Sequence, residues 1–341
     1  MGGSDLVSVV MPSYNREAWL ERSIGSVEQQ THTNWELIVI DDRSTDGTER
    51  FVRSRSARDA RIVYVRNGRS PGPGGARNQG IELARGDLIA FLDSDDAWEP
   101  EKLTRELRYL ADRPSVQMVG SDYWMIDRDA GKQTRGRDFI FDMLGWWEQH
   151  EFARKVIPCA KIREDISAIA GRDAIIGQAI GGFLWIHTSS VLVRREVFDM
   201  VGQFNEQLLR TEDIELWLRI NNACDIGYLD EPLSAYDITG RNSLGGDRYR
   251  DYEPQRAHSP DDEVTWHLRL YHHMRRHATL TSAQRAFVAE RCRALHRRAG
   301  YTYRGRNTTR SVYHYLLSIR HRPADIKMLV TRPSVFFGTP Y

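Results

Sequence analysis

Three carboxylates, Asp93, Asp95 and Asp96, follow directly on the apolar run Leu88-Ile-Ala-Phe-Leu92, with Ser94 between the first two. On an extended backbone an Asp-x-Asp pair points both side chains to one side. Two such groups repel each other unless a cation sits between them, and hard oxygen ligands favour Mg²⁺ or Mn²⁺ over zinc. The chemistry this suits is a divalent ion bridging the diphosphate of a nucleotide. A plainer reading is a solvated acidic turn ahead of the helix predicted from Pro100, because acids are common before helices. A second acidic pair, Glu212-Asp213, opens an amphipathic helix that carries Ile214, Leu216, Trp217, Leu218 and Ile220. Acids in that place ordinarily cap the helix and offset its dipole. Ser70-Pro-Gly-Pro-Gly-Gly-Ala-Arg77-Asn78 lacks both the dinucleotide spacing G-x-G-x-x-G and the P-loop ending Gly-Lys-Ser/Thr. It still opens a helix, whose free amides and Arg77 could meet phosphate or ribose oxygens, unless the glycines serve the turn alone.

The elements that must hold these residues alternate in type. Val7 to Met11, Trp35 to Ile40, Arg61 to Arg66 and Leu88 to Leu92 read as strands, and the last is apolar without alternation, as a strand buried on both faces should be. Between them, helices are predicted over Glu17–Gln30, from Asp46 to Ser54, and from the glycine turn to Arg85. That rhythm specifies βαβ units, a mostly parallel sheet and right-handed crossovers. A helix over 100–111, a strand over 116–120, a strand over 185–193 and a short helix over 194–201 follow. Residues 127–182 read as a substrate-specific insertion, and the tail from Glu263 as three or four helices. His187, which precedes Thr188-Ser189 on the strand over 185–193, reads as a structural histidine rather than a functional one.

With 341 residues the chain can bury a large core, and no run approaches the ~18 apolar residues of a membrane span. Its start carries no signal-peptide core. Three widely spaced cysteines, Cys159, Cys224 and Cys292, form no ligand pattern and suit a reducing, cytoplasmic setting. Net charge is +1, but residues 263–341 hold 15 Lys/Arg against 3 Asp/Glu, leaving 33 against 44 for residues 1–262. A basic tail on an acidic body predicts an anionic partner for the tail. Its aromatic residues and arginines suit a helical appendage, packed on the body or on a second subunit in a homodimer, or a peripheral contact at the inner face of a membrane. No nucleic-acid-binding module is recognisable.

Taken in order, Val9-Val-Met-Pro-Ser-Tyr-Asn15, Leu37-Ile-Val-Ile-Asp-Asp-Arg-Ser-Thr-Asp-Gly-Thr48, Gly75-Ala-Arg-Asn78, Phe91-Leu-Asp-Ser-Asp-Asp96 and Thr211-Glu-Asp213 resemble the motifs of glycosyltransferase family 2. The resemblance covers residues 7 to about 245 and is thin beyond. It implies an α/β GT-A fold with a catalytic domain over 1–260 and a basic helical C-terminal region over 261–341. It also implies transfer of a sugar, with inversion, from a nucleoside diphosphate donor, most often UDP-linked, to a hydroxyl of a glycan or lipid-linked acceptor in surface polysaccharide assembly.

The resemblance further implies roles for single residues. Pro12, Tyr14 and Asn15 would pack around base and ribose, Asp41 or Asp42 would bond the base, and Arg77, Asn78, Asp93 and Ser94 would line the nucleotide. Asp95, with Asp93, would hold Mn²⁺ or Mg²⁺, with Asp96 a lesser candidate, and Asp213 would be the catalytic base. Arg241, in a loop over 236–243, would reach the diphosphate, and His258 could supply a late metal ligand. One departure is Arg43, where the family often has glycine. A sugar nucleotidyltransferase also uses acids on a metal, but needs a glycine-rich basic loop where this chain has Pro12-Ser-Tyr-Asn15. A catalytically idle glycan-binding scaffold would not need the intact acid set.

Overall fold

The computed structural model describes residues 6–139, 141, 186–208, 211–239, 271, 274 and 282–303. The chain divides into two compact units, residues 1–248 and 249–341. In the first unit, β1 (Val7–Ser13), β2 (Trp35–Asp41), β3 (Ile62–Arg66) and β4 (Leu88–Phe91) are parallel, in the order β3-β2-β1-β4. The helices α1 (Glu17–Glu28), α2 (Thr48–Ser56) and α3 (Pro73–Leu83) make the crossovers. Every residue of β2 and β4 is buried, as expected of strands covered on both faces.

Chain order reverses between β1 and β4. The chain steps outward from β1 through β2 to β3 and then returns to β1's other side, which opens a crevice at the carboxyl ends of β1 and β4. The loop Tyr14–Arg16 and the acids Asp93–Asp96 both emerge there. Helix α3 is held close to β1 by a missing side chain. A Cβ on Gly80 would lie 2.3 Å from Val10 Cγ1, so glycine lets the helix sit directly on the strand.

Past β4 the sheet changes direction. Its remaining members are β5 (Ala97–Trp98), β6 (Val116–Asp127), β7 (Lys132–Arg135), β8 (Val191–Arg194) and β9 (Asp225–Asp237). Strand β8 pairs antiparallel with both β4 and β6, β6 pairs parallel with β9, and β5 and β7 close the far side as antiparallel partners of β9 and β6. The strand expected over 185–193 is shorter than its apolar pattern suggested. Residues Thr188–Ser190 form a single 3-10 turn and pairing begins only at Val191. All three turn residues are buried with their hydroxyls in use, so the segment mimics a buried strand in composition.

Helix α4 spans Lys102–Asp112, α5 Glu196–Val201 and α6 Glu212–Ala223. Strand β9 has no counterpart among the sequence expectations, since its polar and half-buried residues hide a period of two. In the second unit, α7 runs over Ser282–Tyr303, within the helical region expected for the tail. Most of the 127–182 insertion, the loop around Arg241, and His258 lie outside the described residues.

Candidate functional site

The three acids after β4 have different surroundings. Asp93 and Asp95 keep 29% and 20% of their side-chain surface, whereas Asp96 is fully buried. Ser189, in the turn before β8, accepts the amide of Asp93 at 3.0 Å and donates its hydroxyl to Asp96 Oδ2 at 2.5 Å. Asp96 Oδ1 accepts the amide of Asp237 at 3.3 Å, and Ser23 of α1 donates to the carbonyls of Ser94 and Asp96. The loop is thus bonded to α1, the 188–190 turn and β9 at once. The carboxyl of Asp96 is pushed well above the usual range by burial and by the charges of Asp95 and Asp93. Burial opposes ionisation of Asp93 more than any single neighbour favours it, but the charge and hydrogen bond of Arg77, with the charge of Arg16 and other neighbours, together outweigh it and hold that group below the usual range.

Arg77 lies in the second turn of α3 and is buried. It donates Nη2 to Asp93 Oδ1 and Nη1 to Glu212 Oε1, both at 2.7 Å. One guanidinium therefore ties the end of β4 to the start of α6, Arg77 and Glu212 being 135 residues apart in the chain. Glu212 is pushed up to about 7, first by burial and then by the charge of Asp213, with Arg77 pulling the other way. Asp213 beside it is half-buried. It accepts from Thr188 Oγ1 at 2.8 Å through Oδ2 and from the Ile214 amide through Oδ1. The acidic pair starts α6 from a strained entry, because Thr211, a β-branched residue, has φ 63°.

The turn Thr188-Ser189 thus touches both acidic groups, Asp213 through Thr188 and Asp93 and Asp96 through Ser189. His187 is buried beside it, its ring 4.4 Å from that of Tyr236 and its Nε2 3.4 Å from Asp96 Oδ2. Burial lowers its pKa to about 4, so the ring is neutral near pH 7, and its Nδ1 has no hydrogen-bond partner among the described residues. Ligand atoms of Asp93, Asp96 and His187 all lie within 4.8 Å of one another. Two carboxylates and a neutral imidazole with an unbonded nitrogen are a donor set that fits a divalent cation.

On the other side of the crevice, Asn15 has φ 49°, accepts the amide of Thr45, and donates its own amide to Ser44 Oγ. Pro12, near the end of β1, and Tyr14, on the same loop as Asn15, are half-buried. Asp41 accepts from Tyr64 Oη at 2.6 Å and from the amide of Ser44. Asp42 accepts from Asn67, from Arg43 and from the amide of Gly72, at the entry to α3. Asn78 is buried and bonded both ways to the backbone of Phe204, besides donating to Glu206. These partners show Asp42 and Asn78 bracing the crevice walls.

Several pairings around the crevice had no mark in the sequence. Arg16 lies 3.4 Å from Asp95 Oδ2, and Arg22 donates to the Asp95 carbonyl. Glu212 and Thr188 are the partners of Arg77 and Asp213. Arg16 adjoins Asn15, which the resemblance singles out, and Glu212 is one of the acidic pair that opens α6, with helix capping as its ordinary role. Thr188 and Ser189 looked like ordinary small strand residues, and nothing local marks Arg22.

Residues 8–174 match the family model for glycosyl transferase family 2. TuaG of Bacillus subtilis, named for teichuronic acid biosynthesis, is 43% identical over 108 residues, which are 32% of this chain and 43% of TuaG. WfgD of Escherichia coli, a UDP-Glc:alpha-D-GlcNAc-diphosphoundecaprenol beta-1,3-glucosyltransferase, is 41% identical over 141 residues, 41% of this chain and 54% of WfgD. The chain therefore spans about half the length of these relatives. Staphylococcus aureus TarS, crystallised with UDP-GlcNAc, shares the fold with a TM-score of 0.59 at 18% identity, over 96% of this chain and 85% of the other. The mannosyltransferase PcManGT of Pyrobaculum calidifontis, solved with GDP-Man and Mn²⁺, does so with a TM-score of 0.53 at 17% identity, over 94% and 75%. Residues 8–174, just under half of the chain, thus carry a glycosyl transferase family 2 sequence, and the chain has the GT-A fold of these structures.

Proposed function

We propose that the chain is an inverting, metal-dependent glycosyltransferase. It takes a sugar from a nucleoside diphosphate donor, UDP-linked by preference, and passes it to a hydroxyl of a glycan or lipid-linked acceptor in surface polysaccharide assembly. The observation that carries this reading is the junction of Asp93, Arg77 and Glu212, which holds the acid loop and the Asp213 carboxylate at one crevice. The UDP-GlcNAc complex of TarS and the substrates named for WfgD support a UDP donor and a lipid-linked acceptor.

Asp213 stands at the positive end of α6, which favours a carboxylate, and Thr188 orients one of its oxygens. It takes the proton of the acceptor hydroxyl as that oxygen bonds the anomeric carbon and the bond to the diphosphate breaks. A retaining double displacement would need a nucleophilic carboxylate as well. The neighbouring Glu212 does not suit that role, being buried and bonded to Arg77. Asp93 and Asp95, the two acids open to the crevice, would hold Mn²⁺ or Mg²⁺, with Asp96 and His187 behind them. The ion would offset the charge growing on the leaving diphosphate. Pro12, Tyr14, Asn15 and Asp41 would face base and ribose, and Arg241 the diphosphate. The reading places the protein in the cytoplasm at the inner face of the membrane, its basic C-terminal region on anionic lipid.

A thermal-shift screen of nucleoside diphosphate sugars with Mn²⁺ tests the proposal, since a ligand that binds only the folded state raises its apparent stability. A UDP-sugar should raise Tm in the wild type and not in Asp95→Ala. A shift confined to GDP-sugars would transfer the donor to the chemistry of PcManGT, and no shift with any donor would remove the reading.

A further inference from the structure

Among the described residues, two guanidinium groups pair with carboxylates of the acid loop, Arg77 with Asp93 and Arg16 with Asp95, while Arg22 donates to the Asp95 carbonyl. Arg77 is locked, with 5% of its side chain exposed and two charge-assisted bonds of 2.7 Å. Arg16 is held differently. Its side chain is 21% exposed, its contact with Asp95 Oδ2 is 3.4 Å, and its two bonds to the carbonyls of Tyr14 and Asn15 are also 3.4 Å. All three contacts lie beyond the usual range for such bonds, so little holds this guanidinium in one place. Only its backbone is anchored firmly, through the amide bonded to Thr48 Oγ1 at 3.1 Å. The charge of Arg16 also helps hold Asp93 ionised, so it acts on both acids that open to the crevice.

We propose that Arg16 is a displaceable counter-cation, which balances Asp95 until a divalent ion and a diphosphate arrive together and then transfers its charge to the diphosphate. The inference rests on the metal and donor assignment made above. A divalent ion on Asp95 would stand next to the guanidinium, and like charges in a partly desolvated crevice repel strongly. Arg16 therefore opposes the ion when it comes alone. With the diphosphate present, the repelled side chain has an anionic partner within reach of the same loop, and its planar fork suits phosphate oxygens. Ion and nucleotide are thereby coupled. Each binds better when the other is present, and by linkage the coupling is the same in both directions.

The full chain and its variants Arg16→Gln, Arg16→Lys and Asp95→Asn can be compared by Mn²⁺ titration, followed by electron paramagnetic resonance, with and without UDP. Arg16→Gln should bind Mn²⁺ alone about 5- to 10-fold more tightly than the wild type. It should bind UDP in Mn²⁺ about 5- to 10-fold more weakly, so most of the mutual enhancement disappears, a coupling of the size usual between linked sites. Arg16→Lys keeps the charge and should keep the enhancement, which separates charge from any change in the loop's fold. Unchanged or weakened Mn²⁺ binding in Arg16→Gln, with binding still lost in Asp95→Asn, would overturn this proposal and leave the metal assignment standing. Absence of Mn²⁺ binding in the wild type, or its persistence in Asp95→Asn, would overturn both.

Discussion

At the scale of single residues, the site is a set of carboxylates whose behaviour is set by what each is bonded to. Thr188 gives one hydrogen bond to Asp213, and a neutral donor to a charged acceptor contributes about 1.5–3 kcal/mol. Thr188→Val should therefore lower turnover of a UDP-sugar about 10- to 100-fold while leaving the affinity for UDP in Mn²⁺ unchanged, and Thr188→Ser should restore it. Equal turnover in the valine variant would remove Thr188 from this role. Glu212 gives a pH prediction. Its carboxyl ionises near 4.5 when unconstrained and at about 7 in the folded chain, where burial leads the shift. Between those values the folded state holds more protons than the unfolded state, so this group's contribution to stability falls as pH rises from 4.5 through 7. Glu212→Gln should flatten that part of the curve in denaturant titrations taken at several pH values. An unchanged slope would show Glu212 to be ionised throughout.

At the scale of elements, the crevice depends on α3 lying flat against β1, which carries Arg77 to the end of β4. Gly80 permits this contact, and the buried Val10 fills the space a side chain would take. Alanine normally favours a helix interior over glycine by roughly 0.5–1 kcal/mol. Here the overlap should win, and Gly80→Ala is expected to destabilise by about 1–3 kcal/mol, the usual cost of overpacking a filled core. Trimming Val10 to alanine in the same chain should recover part of the loss. Urea titration of the two single variants and the double variant checks this, and strict additivity would show that residues 10 and 80 are not coupled.

At the scale of the whole molecule, every described residue placed at the crevice lies within the unit of residues 1–248, while the basic excess lies beyond residue 262. Among the described residues no helix is long and apolar enough to cross a membrane. The peripheral contact proposed for the basic region would rest on charge, which salt screens. A chain ending at residue 248 should keep Mn²⁺-dependent UDP binding and lose most of its sedimentation with anionic liposomes. The full chain's sedimentation should fall as salt rises. Equal sedimentation of the two chains would discard the membrane contact.

The order of the elements, the parallel half of the sheet and the acids that end β4 and begin α6 were legible in the residues themselves. They depend on local pattern, namely a run of apolar residues, a turn and a cap. Local pattern stops informing where a segment is buried but polar, as at Thr188–Ser190, or half-buried without alternation, as along β9. Which carboxylate meets which cation was a matter for the tertiary structure alone. Arg77 chooses Asp93 and Glu212, and Arg16 chooses Asp95, because the sheet's reversal at β1 and β4 brings segments distant in the chain to one edge. Charges at that edge interact through space and without regard to sequence separation, so no reading along the chain could pair them.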